Sequence, residues 1–146
     1  MKTYFLILLT LLAGCAHQLT VESPENAHIL QKAVSTPGVD LQISTDAHTY
    51  CSGQQMKLTL TINAGKSLQN VHLLLYGLKS RYEIYKLNQE DWLNLTPGTH
   101  TLSYDHKIPP CSPCAGISPG NYNITAELTM DEQKLATAQT TINIQD

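Results

Sequence analysis

From Val39 onward the sequence keeps a two-residue period, and that pattern constrains the fold more than any other feature. In "VDLQIS", Val39, Leu41 and Ile43 alternate with Asp40, Gln42 and Ser44. In "QMKLTLTIN", Met56, Leu58, Leu60 and Ile62 share one face and Lys57, Thr59 and Thr61 the other. "THTLSYDHKI" sets His100, Leu102, Tyr104, His106 and Ile108 against Thr101, Ser103, Asp105 and Lys107. "NYNITAELTM" and "KLATAQTTINI" repeat the pattern, with Tyr122, Ile124, Ala126, Leu128 and Met130 inward in the first and Ala136, Ala138, Ile142 and Ile144 in the second. Successive side chains of a strand point to opposite faces, so this alternation marks half-buried antiparallel strands. "NVHLLLYGL" is apolar on both faces and reads as a central strand, while "YEIYKL" reads as a short edge strand followed by Trp92. Turn signals separate the runs at Asn63-Ala64-Gly65, Pro97-Gly98, Pro119-Gly120 and Asp131-Glu132-Gln133. Seven strands without an intervening helical stretch predict an all-β, two-sheet antiparallel sandwich.

Two of the turns carry a resemblance. "LTPGTHTL" and "ISPGNYNITAEL" resemble the starts of strands E and F in immunoglobulin-like domains of the CARDB and fibronectin III type. In those families a tyrosine early in strand F bonds back to the preceding turn, and Tyr122 matches that position. The resemblance spans roughly Val39 to Gln145 and implies a seven-stranded immunoglobulin-like sandwich. The fold alone implies no particular activity.

The first residues are of another kind. "MKTYFLILLTLLAGC" has Lys2, an apolar run from Tyr4 to Leu12, and then Ala13-Gly14-Cys15. Nine residues are too few to cross a hydrocarbon layer about 30 Å thick, so the run reads as the core of a signal peptide. Leu12-Ala13-Gly14-Cys15 resembles the lipobox of prokaryotic lipoproteins. That resemblance implies cleavage before Cys15, lipidation of that residue and an extracytoplasmic, membrane-anchored protein, on the outer membrane in a Gram-negative cell. The expected organisation is a signal peptide over 1–14, a lipidated cysteine and tether over 15–38, and the sandwich over 39–146. Ser23 followed by Pro24 and Glu25 offers a helix start within the tether, in which no strand is expected. Thr36-Pro37-Gly38 marks its end.

Charge narrows the partner. A formal net charge of -3 in 146 residues leaves no basic footprint for nucleic acid. The expected contacts are the membrane, through lipid, and another envelope protein. No residue pattern calls for a cofactor.

The cysteines pose the chemical question. Antiparallel topology puts the first and fifth strand connections at one end of the sandwich, which gathers Cys51, Cys111 and Cys114 there with His48 close by. A disulfide from Cys51 to the later loop is the first reading, since export favours oxidation and such a link contributes roughly 3–5 kcal/mol. A local Cys111–Cys114 bridge is the other pairing. A zinc or copper(I) site from His48, Cys51, Cys111 and Cys114 is one alternative. Thiol–disulfide exchange by Cys111 and Cys114 is another, although no helix N-terminus follows the pair to lower a thiol pKa. Ala115 rather than histidine after Cys114 excludes c-type haem attachment. No nucleophile–histidine–carboxylate arrangement is present in the pattern, so the domain is read as non-catalytic.

A partner-facing region is expected over "YGLKSRYEIYKLNQEDWLNL", where Tyr76, Arg81, Tyr82, Tyr85 and Trp92 concentrate. Aromatic residues and arginine are enriched at binding hot spots. Amphipathic aromatics also cover sheet edges without binding anything, and both readings stay open here. Asn94 and Asn123 head two glycosylation sequons, which matter only in an organism that modifies them.

Overall fold

A computed structural model of the chain describes residues 34–35, 38–112, 114 and 116–146. The signal segment, Cys15 and the helix start at Ser23 lie outside the described residues. The described residues contain no helix, and so none long and apolar enough to cross a membrane.

The alternating runs form strands where expected: β2 (Val39–Thr45), β4 (Gln55–Ala64), β5 (Leu68–Lys79), β6 (Tyr85–Leu95), β7 (Gly98–Lys107), β8 (Gly120–Met130) and β9 (Gln133–Gln145). Two short strands raise the count above seven. β1 (Val34–Ser35) pairs antiparallel with Thr137 and Ala136 of β9, and β3 (Thr49–Cys51) pairs parallel with Asn143–Gln145 of the same strand. The expectation that nothing before Gly38 is a strand is therefore corrected at Val34–Ser35. Cys51 likewise ends a strand rather than sitting in a plain turn. Neither piece is long enough to show alternation, which needs four or more residues.

The strands make two antiparallel layers apart from the β3 pairing. One sheet runs β1-β9-β8-β5-β6, with β3 added to β9; the other runs β2-β4-β7. β5 is interior, between β6 and β8, in keeping with its apolar sequence. The core lies between the layers. Leu41, Leu58, Leu60 and Ile62 of the smaller sheet are sealed with Leu73, Leu75, Ile124, Leu128 and Ile142 of the larger one. Burial of these alternate residues drives the two sheets together.

Local chemistry closes the turns. Asp131 and Glu132 both adopt positive φ, 51° and 63°, the geometry of a two-residue type I′ hairpin joining β8 to β9. The Tyr122 hydroxyl donates to Ser118 O at 2.7 Å and accepts from Ser118 N at 3.0 Å. That back-bond is the tyrosine corner implied by the resemblance. The Tyr104 hydroxyl donates to Asp91 Oδ2 at 2.6 Å and so ties β7 to β6 across the layers. Burial, then the neighbouring Asp91 carboxylate, raises the Tyr104 phenol above its ordinary pKa.

The edge strand is both shifted and longer than the sequence implies: of the expected run Tyr82–Leu87, Tyr82, Glu83 and Ile84 lie in the hairpin loop, and β6 begins only at Tyr85. β6 continues to Leu95, so Trp92 lies within it rather than after it. Asn88, Gln89 and Glu90 look like a loop because an edge strand turns many polar residues to water.

Candidate functional site

The outward face of the larger sheet collects the aromatic residues. Register sets His72 opposite Trp92, Leu74 opposite Glu90, Tyr76 opposite Asn88 and Lys79 opposite Tyr85. The Trp92 ring lies 4.8 Å from the His72 ring and remains 71% exposed. Tyr76 and Tyr85 meet edge to face at 5.0 Å, with Tyr85 42% exposed. Strict alternation fails at the end of β5, where Gly77 and Leu78 are both buried and Leu78 takes a φ of 53°. Lys79 and Tyr85 thereby join Tyr76 around one depression.

Beyond the last turn of β5, the hairpin loop carries a second exposed group. Arg81 lies over the Tyr82 ring at 4.7 Å and donates through Nη2 to the Tyr82 hydroxyl. Tyr82 is seated against Gly116, whose carbonyl accepts from Arg81 N at 2.9 Å. Ile84 is 57% exposed beside them. The five expected interface residues therefore fall into three places: Tyr76 with Tyr85, Arg81 with Tyr82, and Trp92 with His72. Tyr76 follows His72 by four positions along β5, a spacing of about 13 Å.

The depression beside Tyr76 and Tyr85 has a volume of about 450 Å³ and is also lined by Asn121, Asn123, Thr125 and Gln139. These residues are locked in cross-strand pairs. Asn143 Nδ2 donates to Asn121 Oδ1 at 2.8 Å, and Thr141 Oγ1 donates to Asn123 Oδ1 at 2.8 Å. Gln139 Nε2 donates to Thr125 Oγ1 at 3.4 Å. Both asparagines use their oxygens in this way, which leaves their amide nitrogens as donors on the open face. Lys79 is the one lining residue with a full charge, and Glu83 pairs with it. The hydrogen bond that Lys79 donates to the Glu83 carboxylate holds its ammonium above the usual pKa. The polar part of this surface was not singled out from the sequence, apart from the outward placement of Asn123. Its signal was present: apart from Glu127, the outward positions of β8 and β9 beside the depression are Asn, Thr and Gln while the inward ones are apolar.

The cysteine pole is assembled as the topology requires. Cys111 N donates to Ser52 Oγ at 2.9 Å, Gly53 N to Ile108 O at 3.1 Å, and Ile108 N to Gln54 O at 2.8 Å. The segments around 51 and 111 thus meet at one end of the sandwich. Cys111 and Cys114 are free thiols, however, so neither the Cys51-to-loop bridge nor the Cys111–Cys114 bridge is formed in this structure. Backbone hydrogen bonds already hold the loops together without it. Among the described residues, no three His, Cys, Asp or Glu side chains converge to hold an ion. His48 is exposed at the far end of β3, where its carbonyl accepts from Asn143 N at 2.8 Å.

The thiols differ in chemistry. Cys114 is exposed; Cys111 is half-buried, and burial followed by the nearby Asp146 carboxylate pushes its thiol pKa up. A thiol held neutral is a slow nucleophile. In reduced protein at pH 7.5, limiting iodoacetamide is expected to label the exposed Cys114 several-fold faster than the half-buried Cys111. Peptide mapping by mass spectrometry reads the ratio, and equal rates would show that the Cys111 environment is wrongly described.

The inward histidines separate. His100 Nε2 bonds Thr96 O at 2.8 Å, in the loop that leads into β7. His106 Nε2 is buried, with no hydrogen-bond partner among the described residues, and burial lowers its pKa.

Comparison with known families and with curated proteins finds no match. Solved structures do resemble the chain. The C-terminal domain of Wzt superposes with a TM-score of 0.58 at 8% identity, covering 82% of this chain and 80% of that one. A CARDB domain from Pyrococcus furiosus, solved in solution and as a crystal complex with di-metal ions, gives TM-scores of 0.52 and 0.51 at 11% and 12% identity. Both comparisons cover 76% of this chain and 97% of that domain. An alkylpurine DNA glycosylase from Pseudomonas fluorescens matches at 0.53 and 9% identity, over only 30% of its own length. At these identities the likeness shows a shared β-sandwich fold and nothing about activity.

Proposed function

We propose that this chain is a lipid-anchored protein of the cell envelope whose immunoglobulin-like sandwich is a non-catalytic binding module. It contacts its partner through the outward face of β5 and β6. The observation that carries the reading is the exposure of large side chains in one region: Trp92 at 71%, Ile84 at 57%, Tyr82 at 51% and Tyr85 at 42%. Large aromatics left in water beside an arginine are the side chains that contribute most when a contact excludes solvent. The sandwich holds them on paired strands and one tight hairpin, so little ordering is needed on binding. Anchorage rests on Leu12-Ala13-Gly14-Cys15 and the apolar segment before it. Several acyl chains on Cys15 would make that anchorage durable. Thiol exchange is the weaker reading, because burial and then the Asp146 carboxylate push the Cys111 thiol pKa up, away from the reactive thiolate.

Two measurements test the proposal. The full chain, expressed in cells fed an alkyne fatty acid, is expected to take up label and to sediment with membranes, whereas Cys15→Ser is expected to do neither. An unlabelled wild type would overturn the anchor. A photo-cross-linking side chain at position 85 or 92 is expected to give an envelope adduct, and one at Thr101, exposed on the opposite sheet, is expected to give none. Capture at Thr101 but not at 85 or 92 would overturn the choice of face.

A further inference from the structure

We propose that the outward face of the larger sheet binds a neutral polysaccharide, one sugar ring being seated in the depression between Tyr76, Tyr85, Asn121 and Asn123. The inference rests on the reading of this face as the binding surface and names its ligand class. A pyranose presents apolar C–H groups on one face and hydroxyls, each both donor and acceptor, around its rim. The depression supplies both complements. The Tyr76 and Tyr85 rings, 5.0 Å apart, form an aromatic wall. Asn121, Asn123, Thr125 and Gln139 form a rim of neutral amides and a hydroxyl.

The cross-strand pairs give the rim fixed directions. Thr141 and Asn143 hold the two asparagine oxygens at 2.8 Å, and both amide nitrogens remain to donate to a hydroxyl. Donors fixed before binding lose little freedom when the ligand arrives. The volume, about 450 Å³, falls in the range of small-molecule sites.

Charge selects against other ligands. Lys79, the only lining cation, is already paired with Glu83. Along the face toward Trp92, Leu74 is flanked by Glu90 on one side and Glu127 on the other. Glu127 pairs with Lys134 at 2.9 Å and Glu90 lies 3.4 Å from His72 Nε2. With Lys79 and Lys134 each held against a carboxylate, polyanions such as nucleic acid, heparin or uronate polymers meet no basic cluster here. An apolar peptide is poorly matched, since it would bury four polar side chains without partners. Trp92, stacked on His72 at about 13 Å from Tyr76 along β5, offers a second ring platform for the same polymer.

The full-length protein, solubilised in a polyoxyethylene detergent free of sugar, is run in native gels containing dextran, laminarin, galactomannan, alginate or heparin. Retardation by at least one neutral polymer is expected, with no retardation by the two acidic ones. Trp92 is the sole tryptophan, so its fluorescence reports engagement of the second platform directly. The double variant Tyr76→Ala/Tyr85→Ala is expected to weaken retardation at least about tenfold, and Asn123→Ala about tenfold, the loss typical of one stacking or hydrogen-bonding group. Each variant is first checked for an unchanged thermal transition. Failure of every neutral polymer, equal retention by alginate or heparin, or retention unaffected by the tyrosine pair would overturn the proposal. Failure of the polymers with a protein adduct at position 85 removes the sugar ligand but leaves the binding face. Failure of both removes the face as well.

Discussion

Gly77→Ala is expected to lower the stability of the sandwich by about 2–3 kcal/mol and its thermal midpoint by about 10–20 °C. Gly77 lies in interior strand β5, opposite Leu87 on one side and Ile124 on the other. A methyl group there would meet Asn123 O at 2.8 Å and Ile124 Cα at 3.0 Å. Those atoms belong to the backbone of β8, so no rotamer change relieves the contact. The strands must move apart, and the hydrogen bonds between them lengthen on both sides of the site. The same movement displaces Tyr76 from Asn123, so ligand retention is expected to fall together with stability. Urea unfolding followed by circular dichroism measures the first effect. A midpoint equal to that of the wild type would mean that the two backbones do not approach as described.

The second large effect is expected at Tyr50. Its ring is fully buried and anchors β3 alongside β9. Its hydroxyl donates to Asp46 Oδ1 at 2.7 Å and accepts from Ala47 N at 2.9 Å; the same Asp46 oxygen accepts from Lys57 N at 2.8 Å. Tyr50→Ala removes the ring and is expected to cost about 3–5 kcal/mol, as for other large-to-small core changes. Tyr50→Phe keeps the ring and isolates the hydroxyl, with an expected cost of about 1–3 kcal/mol for the groups left unpaired.

The pair also fixes a pH dependence. Burial first, and then the hydrogen bond to Asp46, pushes the Tyr50 pKa up to about 12. The folded state thus favours the neutral phenol. Its contribution is whole below the ordinary tyrosine value of about 10 and is lost as pH rises through the folded value. Asp46 behaves in the opposite sense. Burial alone would raise its pKa, but the bonds from Tyr50 and Lys57 outweigh burial and hold it below the usual carboxylate range. Its contribution is present above that range and is lost as pH falls through the folded value. Stability of the wild type should therefore decline above about pH 10, and Tyr50→Phe should flatten that decline. An alkaline limb unchanged by Tyr50→Phe would show that the phenol does not govern it.

The large strands were legible in the sequence because their two faces meet different media. Leu58, Leu60 and Ile62 must be apolar, and Lys57, Thr59 and Thr61 need not be. The turns were legible for a different reason: Asp131-Glu132 and Pro119-Gly120 carry local backbone preferences. β1 and β3 escaped notice because each is too short for alternation to show, and backbone pairing along β9 leaves no mark on side-chain identity. The aromatic residues were visible as a cluster in sequence, but their division into three places depends on register and on the turn at Leu78. The amide rim was harder still. Asn121, Asn123 and Gln139 resemble any solvated strand face until Tyr76 and Tyr85 are placed beside them.

The pairing of Val34 and Ser35 with β9 has a mechanical consequence. Any pull that reaches the sandwich from its N-terminal side loads this two-residue zipper before it loads β2. Such a pull would therefore peel away a small sacrificial clasp while both layers and the tyrosine wall stay intact.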